Sequence, residues 1–422
     1  MNPTGHFMKV KDKIAGLALT IALAACNPLG GTLADVTVAP ANISPNADGK
    51  DDLARIVYRL RQTAKVQIFL TDAAGNQHFI RREIERVAIS KAYSILFNGI
   101  DENGRMLPDG DYTWHILANG EERSGPFKIS NADTDAPKII DLTLDRTRFT
   151  PNRDGIDDRI AISVFTNKPG ALSLYVVGPD GVRYDVPPKQ GLKQIDDRGS
   201  YEAGRWDYDY DGGIDLGADP PPDGDYTLYA ELEDRTGQRD LITRSLTIQD
   251  SGRPVAEIVV QPNGNGVEWE GIYERPMAVL PLGGTLHFTV TVANTGQTPI
   301  RTSKPSDPND CYKMDETRYT KDRPDEPGMW RLGVDYETNR GADHPWRWSV
   351  GSASDLDVVE REGSKLYYLA PGKRAVIHGC IIFTRIPPRN PFTIWASLIQ
   401  EDVEITDVNR HVSPISVQLV EK

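Results

Sequence analysis

The sequence contains an internal duplication, which limits the folds that this chain can adopt. Residues 43–52, Ile-Ser-Pro-Asn-Ala-Asp-Gly-Lys-Asp-Asp, recur as residues 149–158, Phe-Thr-Pro-Asn-Arg-Asp-Gly-Ile-Asp-Asp. A second motif, Pro-Asp-Gly-Asp-Tyr-Thr, occupies residues 108–113 and again residues 222–227. The first pair of motifs is 106 positions apart and the second 114, so the second copy carries eight additional residues. The chain therefore contains two consecutive copies of one module.

Both copies show the alternation of apolar and other residues that is typical of β-strands. Residues 66–70 carry apolar side chains at every second position, and residues 172–176 do the same in the second copy. Gly75 and Gly181 follow these segments at predicted turns. A period of two predicts strands with one buried face. Repeats that are rich in turns and lack long helical periodicity indicate tandem β-sandwiches.

The two shared motifs resemble those of a known group of bacterial domains. The Ser-Pro-Asn-x-Asp-Gly-x-x-Asp opening and the Pro-Asp-Gly-x-Tyr-Thr hairpin are similar to the Ig-like domain of flagellar hook-capping proteins and many bacterial surface proteins. The resemblance places one domain at residues 35–131 and a second at 137–250, where Thr150 replaces Ser44 of the first copy. It implies an Ig-like fold and no particular function, because such modules act as spacers in many settings.

The remaining residues, 254–422, change pattern but keep the character of β structure. Residues 285–292 alternate polar and apolar side chains and end at an Asn-Thr-Gly turn, and a Pro-Gly turn precedes a strand candidate at 376–383. This arrangement is similar to bacterial adhesion-related Ig-like sandwiches, which implies a third β-sandwich. Between the two strands lies a polar, aromatic segment, residues 303–365, that we interpret as an insertion.

The joints between the three predicted sandwiches are short and contain proline. They span residues 131–137 and residues 250–254. Such linkers leave little freedom between domains. We therefore predict an all-β chain of tandem Ig-like or fibronectin-like sandwiches in an elongated rod, after a cleaved signal peptide.

The N-terminus has the features of a bacterial lipoprotein signal peptide. Three lysines between positions 9 and 13 precede the apolar run 14–25, which is too short to span a bilayer. The run ends in Leu-Ala-Ala-Cys, which resembles a lipobox. The resemblance implies that residues 1–25 are removed, that Cys26 carries acyl chains and that residues 26–34 form a lipidated linker. The alternative is a buried apolar helix with a chance cysteine.

The other two cysteines, Cys311 and Cys380, are an even pair. Disulfides form in exported proteins because those compartments are oxidising. We therefore predict that the two are bridged, and the alternative is two separate buried thiols.

The chain is acidic, with a formal net charge of −13. The presequence contains three lysines and one aspartate, so its removal brings the charge to −15. Such a chain lacks the basic surface that contact with nucleic acid or anionic lipid requires. We therefore expect no nucleic-acid partner, an extracytoplasmic location, and attachment to the membrane only through the lipid.

One acidic segment is a candidate calcium site. Asp207, Asp209, Asp211 and Asp215 alternate with other residues around two glycines, like the first half of a calcium-binding loop. The bidentate glutamate of an EF-hand is missing, because the twelfth position is Ala218. The alternative is a solvated acidic turn, so calcium is an optional structural ligand and no other cofactor is expected.

The two Asn-x-Asp-Gly-x-x-Asp turns are weaker metal candidates. Their side-chain oxygens could surround a cation, or they could accept hydrogen bonds from the backbone of their own turns. We favour this second, capping role. The residues concerned are Asn46, Asp48, Asp51, Asn152, Asp154 and Asp157.

Motifs for catalysis are missing from the sequence. It contains no Gly-x-Ser-x-Gly elbow, no His-Glu-x-x-His, no phosphate-binding loop and no Cys-x-x-Cys. We therefore predict that the protein is not an enzyme.

Aromatic residues cluster in the segment 303–365. Exposed Trp and Arg are enriched at binding hot spots, and Trp faces also stack on sugar rings. The alternative is that each Trp packs the segment onto the sandwich. The predicted binding residues are Trp330, Tyr336, Trp346, Arg347 and Trp348.

These features predict a lipid-anchored structural or interaction protein. Its β-sandwich stalk would present the third domain to an envelope or surface protein. The alternative from another class is a carbohydrate-binding surface module with a glycan partner, and a hydrolase is a third, less favoured interpretation.

Overall fold

The computed structural model describes residues 31–189, 200–272, 276–361 and 363–421. In this part of the chain the regular elements are β-strands and two short 3-10 helices, so the predicted all-β class is confirmed. No helix among these residues is long and apolar enough to cross a membrane. The predicted signal peptide and Cys26 lie outside the described residues. The chain divides into two compact units, Met1–Thr134 and Asp135–Lys422.

The first unit contains one β-sandwich, the first repeat. Its strands are β1 (Leu33–Ala39), β2 (Asn42–Ile43), β3 (Ala54–Leu60), β4 (Ala64–Thr71), β5 (Gln77–Arg86), β6 (Tyr93–Phe97), β7 (Gly110–Ala118) and β8 (Glu121–Ile129). They form a sheet of order β1-β3-β6 and a second sheet of order β2-β8-β7-β4-β5. Val66, Ile68 and Leu70 are buried between the sheets, as their alternation predicts.

The second repeat has the same strand order in its two sheets. Its strands are β9 (Ile139–Leu144), β10 (Arg148–Phe149), β11 (Ile160–Thr166), β12 (Gly170–Val177), β13 (Arg183–Val186), β14 (Ser200–Tyr201), β15 (Gly204–Tyr210), β16 (Gly224–Glu233) and β17 (Arg239–Ile248). One sheet has the order β9-β11-β15 and the other β10-β17-β16-β12-β13, with the added strand β14 beside β12. The duplication in the sequence is therefore a duplication of the fold. The 3-10 helix Ile214–Leu216 follows β15.

The third domain is a larger sandwich within the second unit. Its strands are β18 (Ala256–Ile258), β19 (Val267–Trp269), β20 (Met277–Pro281), β21 (Thr285–Asn294), β22 (Ile300–Thr302), β23 (Tyr312–Lys313), β24 (Trp330–Tyr336), β25 (Trp346–Ser349), β26 (Asp357–Arg361), β27 (Ser364–Leu369), β28 (Arg374–Ile382), β29 (Phe392–Gln400) and β30 (Val412–Val420). One sheet has the order β18-β21-β28-β23, with β19 also beside β21. The other has the order β20-β30-β29-β24-β22-β27-β26, with β25 also beside β24. The second 3-10 helix, Asp407–Asn409, precedes β30.

The segment 303–365 is part of this sandwich and is not an addition to it, which corrects the interpretation from the sequence. The segment supplies β23, β24, β25 and β26. Strand β24 lies inside the larger sheet, between β22 and β29. All seven of its residues are buried, so this strand is a central part of the sandwich and contributes to its core.

The predicted disulfide between Cys311 and Cys380 is confirmed. The two Cα atoms are 4.7 Å apart, and the bridge joins positions separated by 69 residues. Cys380 lies on β28, whereas Cys311 directly precedes β23. The bridge therefore fixes the start of the aromatic segment to the smaller sheet.

Candidate functional site

The five residues predicted to form a binding surface lie in the interior of the third domain. The exposed fractions are 3% for Trp330, 8% for Tyr336, 0% for Trp346, 3% for Arg347 and 1% for Trp348. A partner or a sugar ring cannot reach side chains buried to this degree. The prediction of an exposed aromatic surface at these positions is therefore wrong.

Strand geometry explains why aromatic and charged residues alternate here. Successive side chains of a strand point to opposite faces of the sheet. Trp330, Leu332, Val334 and Tyr336 of β24 therefore enter the apolar core, and Arg331 points to the opposite face.

Strand β25 repeats this pattern beside β24. Trp346 and Trp348 enter the core, where the ring centroid of Trp348 lies 4.9 Å from that of Phe288 and 5.0 Å from that of Tyr312. Arg347 points away from the core. Trp and Arg therefore alternate in the sequence because both strands are buried and successive side chains point to opposite faces.

The opposite face of these strands is polar, and it is also buried. Arg331 donates a hydrogen bond from Nε to Glu401 Oε1 at 2.7 Å, and Arg347 Nε donates to the same oxygen at 2.9 Å. Glu401 is 4% exposed and Arg331 is 1% exposed. Buried charges of this kind are tolerated because each has partners of opposite sign and further hydrogen bonds.

Asp325 extends this network towards the surface. Its carboxylate accepts hydrogen bonds from Arg331 Nη2 at 2.6 Å and from Arg318 Nη2 at 2.8 Å. Burial opposes ionisation of Asp325, but the hydrogen bonds from Arg318 and Tyr319 outweigh it and lower the pKa of Asp325 to about 2. Asp325 is therefore charged at neutral pH and forms an ion pair with each of the two arginines.

A histidine-centred group lies on the same face of the sheet. His344 Nε2 is 2.8 Å from Ser397 Oγ, and His344 Nδ1 is 2.8 Å from Asp343 Oδ2. This order of contacts is that of a Ser-His-Asp nucleophile. However, Ser397 is fully buried, at 0% exposed, so its hydroxyl cannot meet a substrate. Sequence reasoning missed Ser397 because it lies 53 residues from His344 and in no motif.

The four aspartates predicted to bind calcium do not form a calcium loop. Asp207 and Asp209 lie on β15, and the tyrosines that alternate with them, Tyr208 and Tyr210, are buried. Neighbouring positions on one face of a strand stand about 6–7 Å apart, so the extended backbone of β15 does not wrap around one ion as a calcium-binding loop does. Asp207 accepts hydrogen bonds from Ser163 and from Arg205 instead.

Arg159 balances the charge of the other three aspartates. Its guanidinium is 3.4 Å from both Asp209 Oδ2 and Asp211 Oδ2, and it also pairs with Asp215. Burial opposes ionisation of Asp215, but the hydrogen bond and charge of Arg159 outweigh it and lower the pKa of Asp215. Arg159 therefore balances the charge of these three aspartates, and calcium binding at this turn stays a prediction.

In the first repeat the Asn-x-Asp-Gly turn is held by its own side chains. Asn46 Oδ1 accepts the N–H of Asp48 at 3.0 Å. In the same way, Asp48 Oδ1 accepts the backbone N–H of the residue two positions further along, at 2.8 Å. The backbone carbonyl of Asp51 accepts the N–H of Ser44 at 2.8 Å. Asp52 contributes most, because its two carboxylate oxygens accept three backbone N–H groups at 2.8–3.1 Å. These contacts agree with the capping role and make Asp52 the anchor of the turn.

The turn of the second repeat has a similar set of internal hydrogen bonds. Asn152 Oδ1 accepts the N–H of Asp154 at 3.0 Å, and Asp158 accepts the N–H groups of Asp154 and Gly155 at 3.1 and 2.7 Å. The carboxylate of Asp157 instead forms ion pairs with Arg146 and Arg361. Asp158 and Asp52 are the last residues of the two copies of the repeated motif. The duplication in the sequence was therefore a signal by which both residues could have been identified.

Unlike its counterpart, the second turn is packed against the third domain. Tyr368 donates its hydroxyl to Asp154 Oδ2 at 3.0 Å, and Gln400 Nε2 donates to the carbonyl of Arg153 at 2.7 Å. Asp154 is 6% exposed, whereas Asp48, at the equivalent position of the first repeat, is exposed. We call this contact, formed by residues 152–158 against Tyr368, Arg361 and Gln400, the junction.

Two glycines allow the backbones to meet at the junction. A Cβ atom on Gly155 would lie 2.0 Å from the carbonyl oxygen of Pro327, and one on Gly328 would lie 2.4 Å from the carbonyl oxygen of Arg153. Gly155 has a φ of 84°, and Gly49, its equivalent in the first repeat, has a φ of 88°. A Cβ on Gly49 would meet nothing within 4 Å. The second repeat thus needs glycine for contact as well as for backbone conformation.

The junction contains two carboxylates with raised pKa values. Burial, followed by repulsion from Asp154, raises the pKa of Asp158 to about 6. Burial also raises the pKa of Asp154, although the hydrogen bonds from Ile156 and Tyr368 partly offset this effect. Both shifts mean that the junction resists holding two negative charges.

We expect the second unit to lose stability as the pH rises from about 4 to about 6. An unfolded aspartate has a pKa of about 3.9, so a folded value near 6 favours the protonated, folded state. This contribution is complete below pH 4 and is lost as the pH rises through 6, with a size on the order of 3 kcal/mol. Chemical denaturation at several pH values should show the loss in the wild type and a smaller loss in Asp158→Asn.

Asp52→Asn is the matched control, because it changes the equivalent residue of the first repeat. It should leave the pH dependence of the second unit unchanged. Parallel pH profiles for the wild type and Asp158→Asn would contradict the assignment.

No protein-family model matches the chain, and no curated protein matches its sequence. Similar solved structures include a tetra-tandem repeat from the extending region of a large adhesion protein, with 14% identity, coverage of 91% of this chain and 73% of that one, and a TM-score of 0.17. Others are the fibronectin(III)-like modules of Clostridium thermocellum CbhA (10% identity, 67% and 94% coverage, TM-score 0.21) and invasin, a bacterial integrin-binding protein (10%, 92% and 60%, TM-score 0.17). TM-scores this low support no argument about function.

Proposed function

We propose that this chain is a lipid-anchored structural protein of the bacterial envelope or surface, in which Ig-like repeats hold a third β-sandwich for contact with a partner protein. The N-terminal sequence supports the anchor, because an apolar run of signal-peptide length ends in Leu-Ala-Ala-Cys before the first domain. It is not proposed as an enzyme.

The junction is the observation that carries this proposal. Two domains joined by a flexible linker need no contact with each other. Here, however, a turn of the second repeat is buried against the third domain. The backbones of the two domains approach closely at Gly155 and Gly328, where a Cβ atom on either residue would collide with the other domain. This arrangement suits a second repeat that holds the third domain in one orientation.

The burial of the tryptophans argues against the carbohydrate-binding alternative in the form predicted from the sequence. That alternative needs Trp346 and Trp348 as an exposed platform, and both are in the core. The burial of Ser397 likewise gives the serine–histidine pair no route to a substrate. The partner surface is therefore expected on the exterior of the third domain.

Replacing Cys26 with serine is expected to release the protein from the membrane. The substitution removes the thiol that would carry the lipid, and the acidic composition does not favour binding to anionic lipid. Fractionation of cells that express the wild type or Cys26→Ser measures the effect, and intact-mass analysis should find acyl chains on the wild type alone. Cys380→Ser is a control for the loss of a cysteine and should remain in the membrane fraction. Equal membrane retention of Cys26→Ser and the wild type would contradict the anchor.

A further inference from the structure

We propose that the third domain binds a first-row divalent metal ion through Asp335, Asp343 and His344. One donor atom from each of these residues lies within 4.8 Å of the other two. His344 Nδ1 is 2.8 Å from Asp343 Oδ2 and 4.0 Å from Asp335 Oδ2. An ion between these atoms would need only small side-chain movements to reach bonding distances of about 2.0–2.2 Å.

Asp335 is a buried carboxylate that is held by hydrogen bonds. It is 7% exposed, and it accepts the backbone N–H groups of Tyr336 and His344 at 2.7 and 2.9 Å and the side-chain amide N–H of Asn339 at 2.7 Å. Within the described residues, no lysine or arginine nitrogen lies within 4.0 Å of this carboxylate, and the His344 ring is its only possible ionic partner. A buried carboxylate is stable when it is paired or when it coordinates a metal. A divalent cation bound through Nδ1 of the neutral imidazole would place a positive charge beside both carboxylates.

The orientation of His344 is set from outside the group. Its Nε2 is 2.8 Å from Ser397 Oγ, and that hydroxyl also accepts the N–H of His411 at 3.1 Å. The contact leaves Nδ1 facing the carboxylates of Asp335 and Asp343. Metal-binding histidines usually donate the N–H of their other ring nitrogen to such a partner, which fixes the tautomer. Ser397 therefore acts as the positioning residue, and its burial suits that role.

The donor set selects the class of ion. Calcium and magnesium prefer oxygen ligands alone, whereas one imidazole and two carboxylates suit zinc and its first-row neighbours. Three protein ligands leave a fourth position of a tetrahedral zinc site open. The side chain of Asp343 is 71% exposed, so solvent reaches this side of the group. A water molecule, or a donor group of a partner protein, completes the coordination there.

Zinc titration of the purified protein tests the proposal. The lipidated protein is purified in detergent without a metal-affinity tag, stripped with a chelator, and titrated with zinc chloride in a calorimeter. We expect one zinc ion per chain for the wild type. Asp343→Ala should weaken binding by at least about tenfold, and His344→Gln should abolish it.

Asp357→Ala is the matched control, because Asp357 is an exposed aspartate on β26 of the same domain. It should bind zinc as the wild type does. Asp343 is also exposed, so its alanine variant should keep the wild-type melting temperature without zinc, which separates loss of a ligand from loss of the fold. The proposal also expects a visible absorption band from bound cobalt that is lost in Asp343→Ala. Absence of stoichiometric zinc binding to the wild type, or equal binding by Asp343→Ala and Asp357→Ala, would overturn it.

Discussion

Trp348→Ala is expected to lower the free energy of unfolding of the third domain by about 3–5 kcal/mol. The side chain is 1% exposed and packs edge-on against Phe288 and Tyr312, so alanine would leave a cavity between the two sheets. Denaturant unfolding followed by Trp fluorescence and by circular dichroism measures the change.

Val359→Ala is the control for a substitution on the surface of the same domain. Val359 is 49% exposed, and its truncation should change the free energy of unfolding by less than about 0.5 kcal/mol. If Trp348→Ala unfolds at the same denaturant concentration as the wild type, the residue is not in the core, and the interpretation as an exposed binding surface stands again.

Glu401→Ala is expected to lower the free energy of unfolding by a similar amount, about 3–5 kcal/mol, for an electrostatic reason. Glu401 is the common partner of Arg331 and Arg347, and all three residues are buried. Removing the carboxylate leaves two guanidinium groups close together without their shared counter-charge. The same denaturant experiment measures the loss.

Glu360→Ala breaks an exposed ion pair of the same domain and is the matched control. Glu360 lies 3.8 Å from Lys365, and both side chains are more than half exposed. Such pairs contribute about 0–1 kcal/mol because water and salt screen them. Equal effects of Glu401→Ala and Glu360→Ala would mean that the buried network does not support the fold.

The class and repetition of the fold could be predicted because they depend on local patterns. Alternation in residues 66–70, the turn glycines and the repeated Pro-Asp-Gly hairpin each act over a few residues, and all point to the same strands. The disulfide between Cys311 and Cys380 followed from the compartment and the even count. None of these inferences needed a contact between distant segments.

The candidate site could not be predicted in the same way. Trp346, Arg347 and Trp348 have the period of a strand, but a segment of mixed polarity suggests a surface unless its polar face is known to be covered. Glu401, which pairs with Arg347, lies 54 residues away, and Ser397 is 53 residues from His344. Such pairings depend on tertiary structure, and a single sequence does not record them.

The junction shows a second limit of sequence reasoning. The two Asn-x-Asp-Gly turns are similar in sequence, and they share internal hydrogen bonds such as the one from the glycine N–H to the last aspartate. Only Gly155 has another backbone against it, because Pro327 approaches from the third domain. Identical motifs therefore have different surroundings, and the difference arises from residues more than 150 positions further along the chain.

The distance distribution between the second repeat and the third domain tests most directly whether the two move as one body. Spin labels at Leu241→Cys and Val279→Cys, both exposed, are introduced into a Cys26→Ser chain with the Cys311–Cys380 disulfide intact. Pulsed electron spin resonance should give one narrow distance peak. Gly155→Ala should broaden or shift that peak, because its Cβ collides with Pro327, and Gly49→Ala should not. A broad distribution in the wild type, or one unchanged by Gly155→Ala, would contradict a rigid junction that presents the third domain.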